Sequence, residues 1–188
     1  MHPYEFLKRY GPAALVMEVT GEPGEAFAAE LAKGGFDLVL PSADPTGLEP
    51  LAARLRDHEG VEVDLHEGDI DDPHFPEALF PACEGRDIGL IVCGIEPGHP
   101  RMAGSLLSSL TRVFMPRLRA RPHAGVIVVD LTGKARRLGE TLAHELKPEG
   151  IDVMTVHADP GTDEPRALVK LSLEHMGHDQ YVAFEAEA

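Results

Sequence analysis

The chain has 188 residues, 43% of them hydrophobic and 26% charged, and its 32 acidic against 17 basic side chains give a net charge of −15. That length suits one compact domain with a substantial core, and the composition is ordinary for a soluble globular protein. The acidic surplus argues against a nucleic-acid surface or an anionic membrane as partner, because both need clustered cations; a basic partner or plain solvation fits better.

Strand and helix patterns alternate along the chain. The opening MHPYEFLKRYGP lacks the apolar core of a signal peptide. AALVMEV (13–19) is a short apolar run between Pro12 and Gly21, and EAFAAELAKGG follows with Phe27, Ala28, Leu31 and Ala32 at helical spacing. FDLVLP (36–41) predicts a strand, 44–60 a turn and helix, VEVDLHEGD (61–69) a strand, and 72–83 a short helix opened by Pro73. DIGLIVCGI (87–95) is a fourth strand, far short of the roughly 20 residues a bilayer span needs. The segment 101–121 predicts a longer helix in which Pro116 marks a kink or a break. GVIVVDL (125–131) is a buried strand, and 134–150 a helix with Leu138, Leu142 and Leu146 on one face. A strand (151–158), a helix (164–177) and a strand (180–186) complete the pattern. Short apolar strands separated by helices imply a parallel sheet covered on both faces, wound in two halves by right-handed crossovers. Cys83 and Cys93 have no disulfide or metal spacing and read as small buried hydrophobes of a reducing compartment, so a cytoplasmic location is expected.

The ordered series GEAFAAELAKGGFDLVLPSAD, VEVDLHEGDIDDP, DIGLIVCGI, SLTRVFMPRLRARPHAGVIVVDL, LGETLAHELKPEGIDVMTVHADPG and TDEP resembles the short-chain dehydrogenase/reductase family. The wording is nearest its hydroxysteroid-dehydrogenase-like and ketone-reducing members, over about residues 12–165. The resemblance implies a single Rossmann-like domain over 1–188: an α/β, three-layer, doubly wound parallel sheet of about seven strands with a shortened substrate-covering region.

The family's working parts are damaged. Its T-G-x-x-x-G-x-G motif falls on residues 17–24, where Gly24 alone stays in place and Glu18 and Glu22 take the other two glycine positions. Those glycines let the backbone approach a pyrophosphate at a helix N-terminus. A glutamate there repels it by roughly 3 kcal/mol at about 5 Å and an effective dielectric near 20. The same glutamates, with Pro23, suit a helix start. After the second strand PSAD offers Ser42, Ala43 and Asp44, with no arginine for a 2′-phosphate. Asp69 matches the family's adenine-edge aspartate and equally suits a turn or an N-cap. Val92, Cys93 and Gly94 stand where the family has N-N-A-G. Pro160 and Gly161, after Asp159, retain the motif on the nicotinamide side.

The family's catalytic Tyr-x-x-x-Lys has no counterpart. VVDLTG runs directly into KARRLGETLAHEL, and the chain's tyrosines, Tyr4, Tyr10 and Tyr181, lie elsewhere. Lys134 is at most a weak remnant of the lysine, and a surface residue is the reading preferred; Asp130 and Thr132 stand in the serine region without composing a proton relay. No catalytic residue, bound cofactor or metal is expected. HMGHD (His175, His178, Asp179) lacks a third ligand, and Ser105, Ser108 and Ser109 fit no hydrolase elbow. The arginines at 112, 117, 119 and 121 suit a solvated helix end.

In the family, helices matching 101–121 and 134–148 pair with their copies in a partner, and their sequences are well kept here. The leading expectation is a catalytically silent structural or regulatory subunit pairing, through those helices, with a homologous short-chain dehydrogenase or with itself. Two alternatives stand: an isomerase, lyase or cyclase in the old cleft, using Glu18, Asp130, His157 or Asp159, and an NAD(P)-dependent oxidoreductase with an altered site.

Overall fold

The computed structural model describes residues 3–17, 22–70, 72–95, 100–157 and 165–183, with the backbone alone for Pro3, Glu22, 100–106 and Ala183. In chain order the elements are α1 (Pro3–Tyr10), β1 (Ala13–Met17), α2 (Glu22–Lys33), β2 (Asp37–Ser42), α3 (Pro45–Glu59), β3 (Val63–Glu67) and α4 (Phe75–Ala82). Then come β4 (Ile88–Ile95), α5 (Pro100–Arg119), β5 (Ala124–Asp130), α6 (Arg136–Leu146), β6 (Ile151–His157), α7 (Pro165–His175) and β7 (Tyr181–Ala183), with a 3₁₀ turn (Lys147–Glu149) after α6. The seven strands form one parallel sheet in the order β3-β2-β1-β4-β5-β6-β7. The order reverses between β1 and β4, the switch point at which such sheets open a crevice beyond the strands' C-terminal ends.

Strand side chains sort by alternation into two cores. Ala14, Val16, Leu90, Val92, Ile127 and Val129 face one side, against Phe6, Phe27, Leu31, Leu51 and Leu168 from α1, α2, α3 and α7. Leu15, Met17, Ile91, Cys93, Val126 and Val128 face the other, against Leu79, Leu110, Phe114 and Leu142 from α4, α5 and α6. Apolar residues on both faces are why these strands read as continuous apolar runs.

Local sequence explains most boundaries. Asp44 caps α3, proline occupies its first turn, and Gly60 ends it in a left-handed conformation at φ 71°. Gly139 of α6 lies so close to β6 that a Cβ there would overlap Thr155 Oγ1. Four details depart from expectation. The helix α1 was not foreseen; its Phe6 and Tyr10 are buried. α4 starts at Phe75, with Pro76 rather than Pro73 in its first turn. α5 runs through Pro116 and stops at Arg119, and α6 begins at Arg136, leaving Lys134 exposed in the preceding loop.

The arginines of α5 are tied into the molecule more than a solvated helix end requires. Arg117 donates to the carbonyls of Cys83 (2.6 Å) and Phe80 (3.0 Å) and lies 4.1 Å from the Phe80 ring centroid, clamping the C-terminus of α4. Arg112 pairs with Glu77, Arg119 with Glu149 and Arg121 with Asp87. Among the described residues, no helix is long and apolar enough to cross a membrane.

Candidate functional site

The topology predicts a crevice at the C-terminal edge of the sheet, where the described residues include the segments that follow β2, β3 and β5. At β2 the backbone N–H of Asp44 donates to Ser42 Oγ (3.0 Å). The Asp44 carboxylate accepts from the Thr46 hydroxyl and from the Gly47 N–H (3.3 Å), which together hold it below the usual carboxylate range. That carboxylate is therefore committed to starting α3. At β3 the Gly68 N–H donates to the Ser42 carbonyl (3.0 Å), and the Phe75 ring packs so closely that a Cβ on Gly68 would meet it. Asp69 is exposed, its carbonyl accepting the Asp72 N–H (3.0 Å) in the turn before α4.

The end of β5 is closed by a set of hydrogen bonds. Asp130 is fully buried. Its Oδ1 accepts from the Thr132 N–H (2.9 Å) and hydroxyl (2.7 Å), and its Oδ2 from the Ala135 N–H (2.8 Å). Burial pushes this carboxyl up; the hydrogen bonds from Thr132 and Ala135, with His157 nearby, overcome that and leave it below the ordinary range. Ala135, the N-cap of α6, has no side-chain cap of its own. Asp130 supplies the acceptor the helix start lacks. On the neighbouring strand His157 Nδ1 donates to the Asp130 carbonyl at 2.7 Å, and Gly133 (φ 69°) carries the turn past the His157 ring. Thr132 Oγ1 also accepts the Lys134 N–H (3.1 Å). Five residues thus join β5 to α6, and the carboxylate at their root holds them shut.

The structure brings Asp130, Thr132 and His157 together and leaves Lys134 outside this cluster. Gly24 sits in the first turn of α2, which Glu22 opens; Pro23 beside it has no N–H to offer. Glu18, Asp159, Pro160 and Gly161 lie outside the described residues. His175 and Asp179 pair at 2.6 Å, and among the described residues no group of three or more His, Cys, Asp or Glu side chains could hold a metal ion. Sequence reasoning missed the capping roles of Asp44 and Asp130. D-P-T-G, an acid before proline at a helix start, was a usable signal for the first. Nothing local signals the second, because its partner Ala135 is five residues on.

No profile of a known protein family matches the chain. It is 32% identical over 84 residues to a 7β-hydroxysteroid dehydrogenase of Collinsella aerofaciens, an alignment covering 45% of this chain and 32% of that protein. Against a very-long-chain 3-oxoacyl-CoA reductase of Podospora anserina it is 27% identical over 215 residues, covering 94% of this chain and 63% of that one. Against the human inactive hydroxysteroid dehydrogenase-like protein 1 it is 29% identical over 99 residues, covering 51% and 29%. The chain thus spans less than two thirds of each relative's length. A solved structure described as giving insight into 7β-hydroxysteroid dehydrogenase stereoselectivity superposes with a TM-score of 0.81 at 22% identity, covering 95% of this chain and 88% of that one.

The chain is similar over part of its length to dehydrogenases and reductases of the short-chain family, and it shares their Rossmann-like fold. Three of the described positions that would face a nicotinamide dinucleotide in such a fold are engaged within the chain itself or lack a donor. The acid after β2 is engaged in capping α3, the first turn of α2 has lost a donor to Pro23, and the carboxylate at the end of β5 is closed on its own loop. None of the three tyrosines is a hydrogen-bond partner of Asp130 among the described residues. Tyr4 and Tyr10 are on α1, and Tyr181 pairs with Thr155, with the Arg136 guanidinium 4.5 Å from its ring centroid.

Proposed function

We propose that this chain is a catalytically silent short-chain dehydrogenase/reductase acting as a structural or regulatory subunit, which pairs through α5 and α6 with an active member of the family. The observation that carries the proposal is the closure between β5 and α6. A proton-donating tyrosine needs a segment to stand on, and here five residues suffice to join strand to helix. Asp130, the one buried acid in that corner, accepts three hydrogen bonds and is spent on the loop. A site whose acid is satisfied by donors of its own loop is poor at moving protons. The human relative whose name calls it inactive supports the same direction. The place of action proposed is the cytoplasm, in keeping with two buried cysteines, Cys83 and Cys93, that form no disulfide among the described residues.

The test is calorimetric titration with NADH and NADPH, together with ketone-reduction assays. The expected result is no saturable heat at millimolar cofactor and no turnover; binding by either nucleotide, or turnover, overturns the proposal. Candidate partner reductases assayed alone and mixed with this chain are expected to change in activity or stability on mixing.

A further inference from the structure

We infer that the hollow between α1, α2 and α7 binds an amphipathic monocarboxylate: a medium-length apolar chain that ends in a single carboxylate. The hollow lies on the sheet face opposite α5 and α6 and is independent of the pairing proposed above. It has a volume of about 410 Å³, and every residue that lines it is among the described ones. Phe6, Leu31 and Phe36, each at most 3% exposed, make its floor, with the rings of Phe6 and Phe36 5.8 Å apart. Leu173 of α7 is a half-buried wall. The hollow opens where α2 ends: Gly34 lines it without a side chain, and Gly35 turns the backbone at φ 88°. An apolar floor of this size under a few polar groups is the usual form of a small-molecule site.

The rim decides the class of ligand. Its charged side chains are Glu30, Lys33, Arg166, Lys170 and Glu174. Lys33 pairs with Glu30 at 2.6 Å, and Lys170 stands 3.9 Å from Glu174. With both carboxylates counted, the rim keeps one positive charge, and Arg166 is its cation without an ion pair among the described residues. A guanidinium takes a carboxylate through two parallel N–H donors. A dianion such as a phosphate monoester suits this rim less, because Glu30 and Glu174 stand on it and a single guanidinium leaves half the added charge unmet. An ammonium head would meet Arg166 as a like charge, and a neutral chain would leave Arg166 unused. Arg166, Lys170 and Leu173 share one face of α7, so the rim and the apolar wall follow one line. From Arg166 to Leu173 the helix advances about 10 Å, at roughly 1.5 Å per residue. An extended acid of about eight carbons has that reach, given carbon–carbon bonds of about 1.5 Å set in a zigzag.

Octanoate is the probe, with octanol and octyl phosphate as the neutral and dianionic counterparts of the same chain. Each is titrated calorimetrically into the native protein near neutral pH. Octanoate is expected to bind at least about tenfold tighter than either counterpart. Arg166→Gln is expected to bring octanoate down to the affinity of octanol and to leave octanol unchanged; the side chain is exposed, so the variant keeps its fold. Leu173→Phe narrows the apolar wall and is expected to weaken octanoate and octanol alike. If that variant melts early, the ordering of the three probes and the effect of Arg166→Gln still decide. No octanoate binding at millimolar concentration overturns the inference. So does octanol or octyl phosphate binding as tightly, and so does octanoate binding that Arg166→Gln leaves unchanged. Sedimentation velocity covers the remaining occupant: a native dimer that both variants convert to monomer overturns the inference, because a second copy then fills the hollow. None of these outcomes touches the catalytic silence, which the nucleotide titration reads separately.

Discussion

Asp130 shows how one side chain can close a site. Asp130→Asn keeps the shape but sets an amide N–H₂ against the N–H groups of Thr132 or Ala135. Leaving such buried donors unmet is expected to cost about 2–3 kcal/mol, read by chemical denaturation. The pH dependence follows from the sign of the shift. The folded-state carboxyl titrates below its unfolded value, so its contribution is complete above the ordinary aspartate range and is lost as the pH falls through the folded value. The stability gap between wild type and Asp130→Asn should therefore narrow on titration from pH 7 to pH 3; a gap that stays constant would exclude the role assigned here. Cys83 offers a second residue-scale check. Burial raises its thiol to about 11, and both cysteines are buried. Neither should react with iodoacetamide in the folded protein at pH 8, and both should react in denaturant, as read by intact mass.

Elements follow from sequence where the local pattern agrees with its surroundings. The strands were legible because each is apolar on both faces, and the two cores consume both sets. Lys134 and the start of α6 were less legible, since the helix opens on a carboxylate from the preceding strand rather than on a cap of its own. Helix α1 was not legible at all. Its eight residues are too few for periodicity to speak, and its burial depends on Phe36 and on β6, both distant in the chain. The packing of α6 on β6 gives the prediction at this scale. Gly139→Ala places a Cβ against Thr155 Oγ1, a buried hydroxyl with no hydrogen-bond partner among the described residues. Because neither helix nor strand can give way cheaply, the substitution should cost about 1–3 kcal/mol despite the higher helix propensity of alanine. An unchanged or raised melting temperature would show that α6 rides more loosely than the structure implies.

At the scale of the molecule, the fold was legible because alternating elements admit few topologies. The candidate site was legible chiefly as a set of losses, such as glutamates for glycines and a missing tyrosine-bearing segment. The closure at the end of β5 could not be read in advance, because it is made by hydrogen bonds across a turn. Removing α1 tests the whole. Deleting residues 3–11 strips Phe6 and Tyr10 from the core, and the shortened chain is expected to melt at least several degrees lower and to aggregate near that temperature.

The anchor of α1 has a consequence for how the chain is made. Tyr10 and Arg9 are tethered to Asp152, at 2.7 and 2.9 Å, across separations of 142 and 143 residues. Synthesis proceeds at about 5–20 residues per second, so the helix waits several seconds on the ribosome before β6 emerges to hold it. During that interval the bonds after Lys8 and Arg9 lie open to any trypsin-like protease, whereas in the finished protein they stand within a helix anchored on the core. A ribosome-stalled chain ending before residue 150 should be clipped there, and a completed one spared.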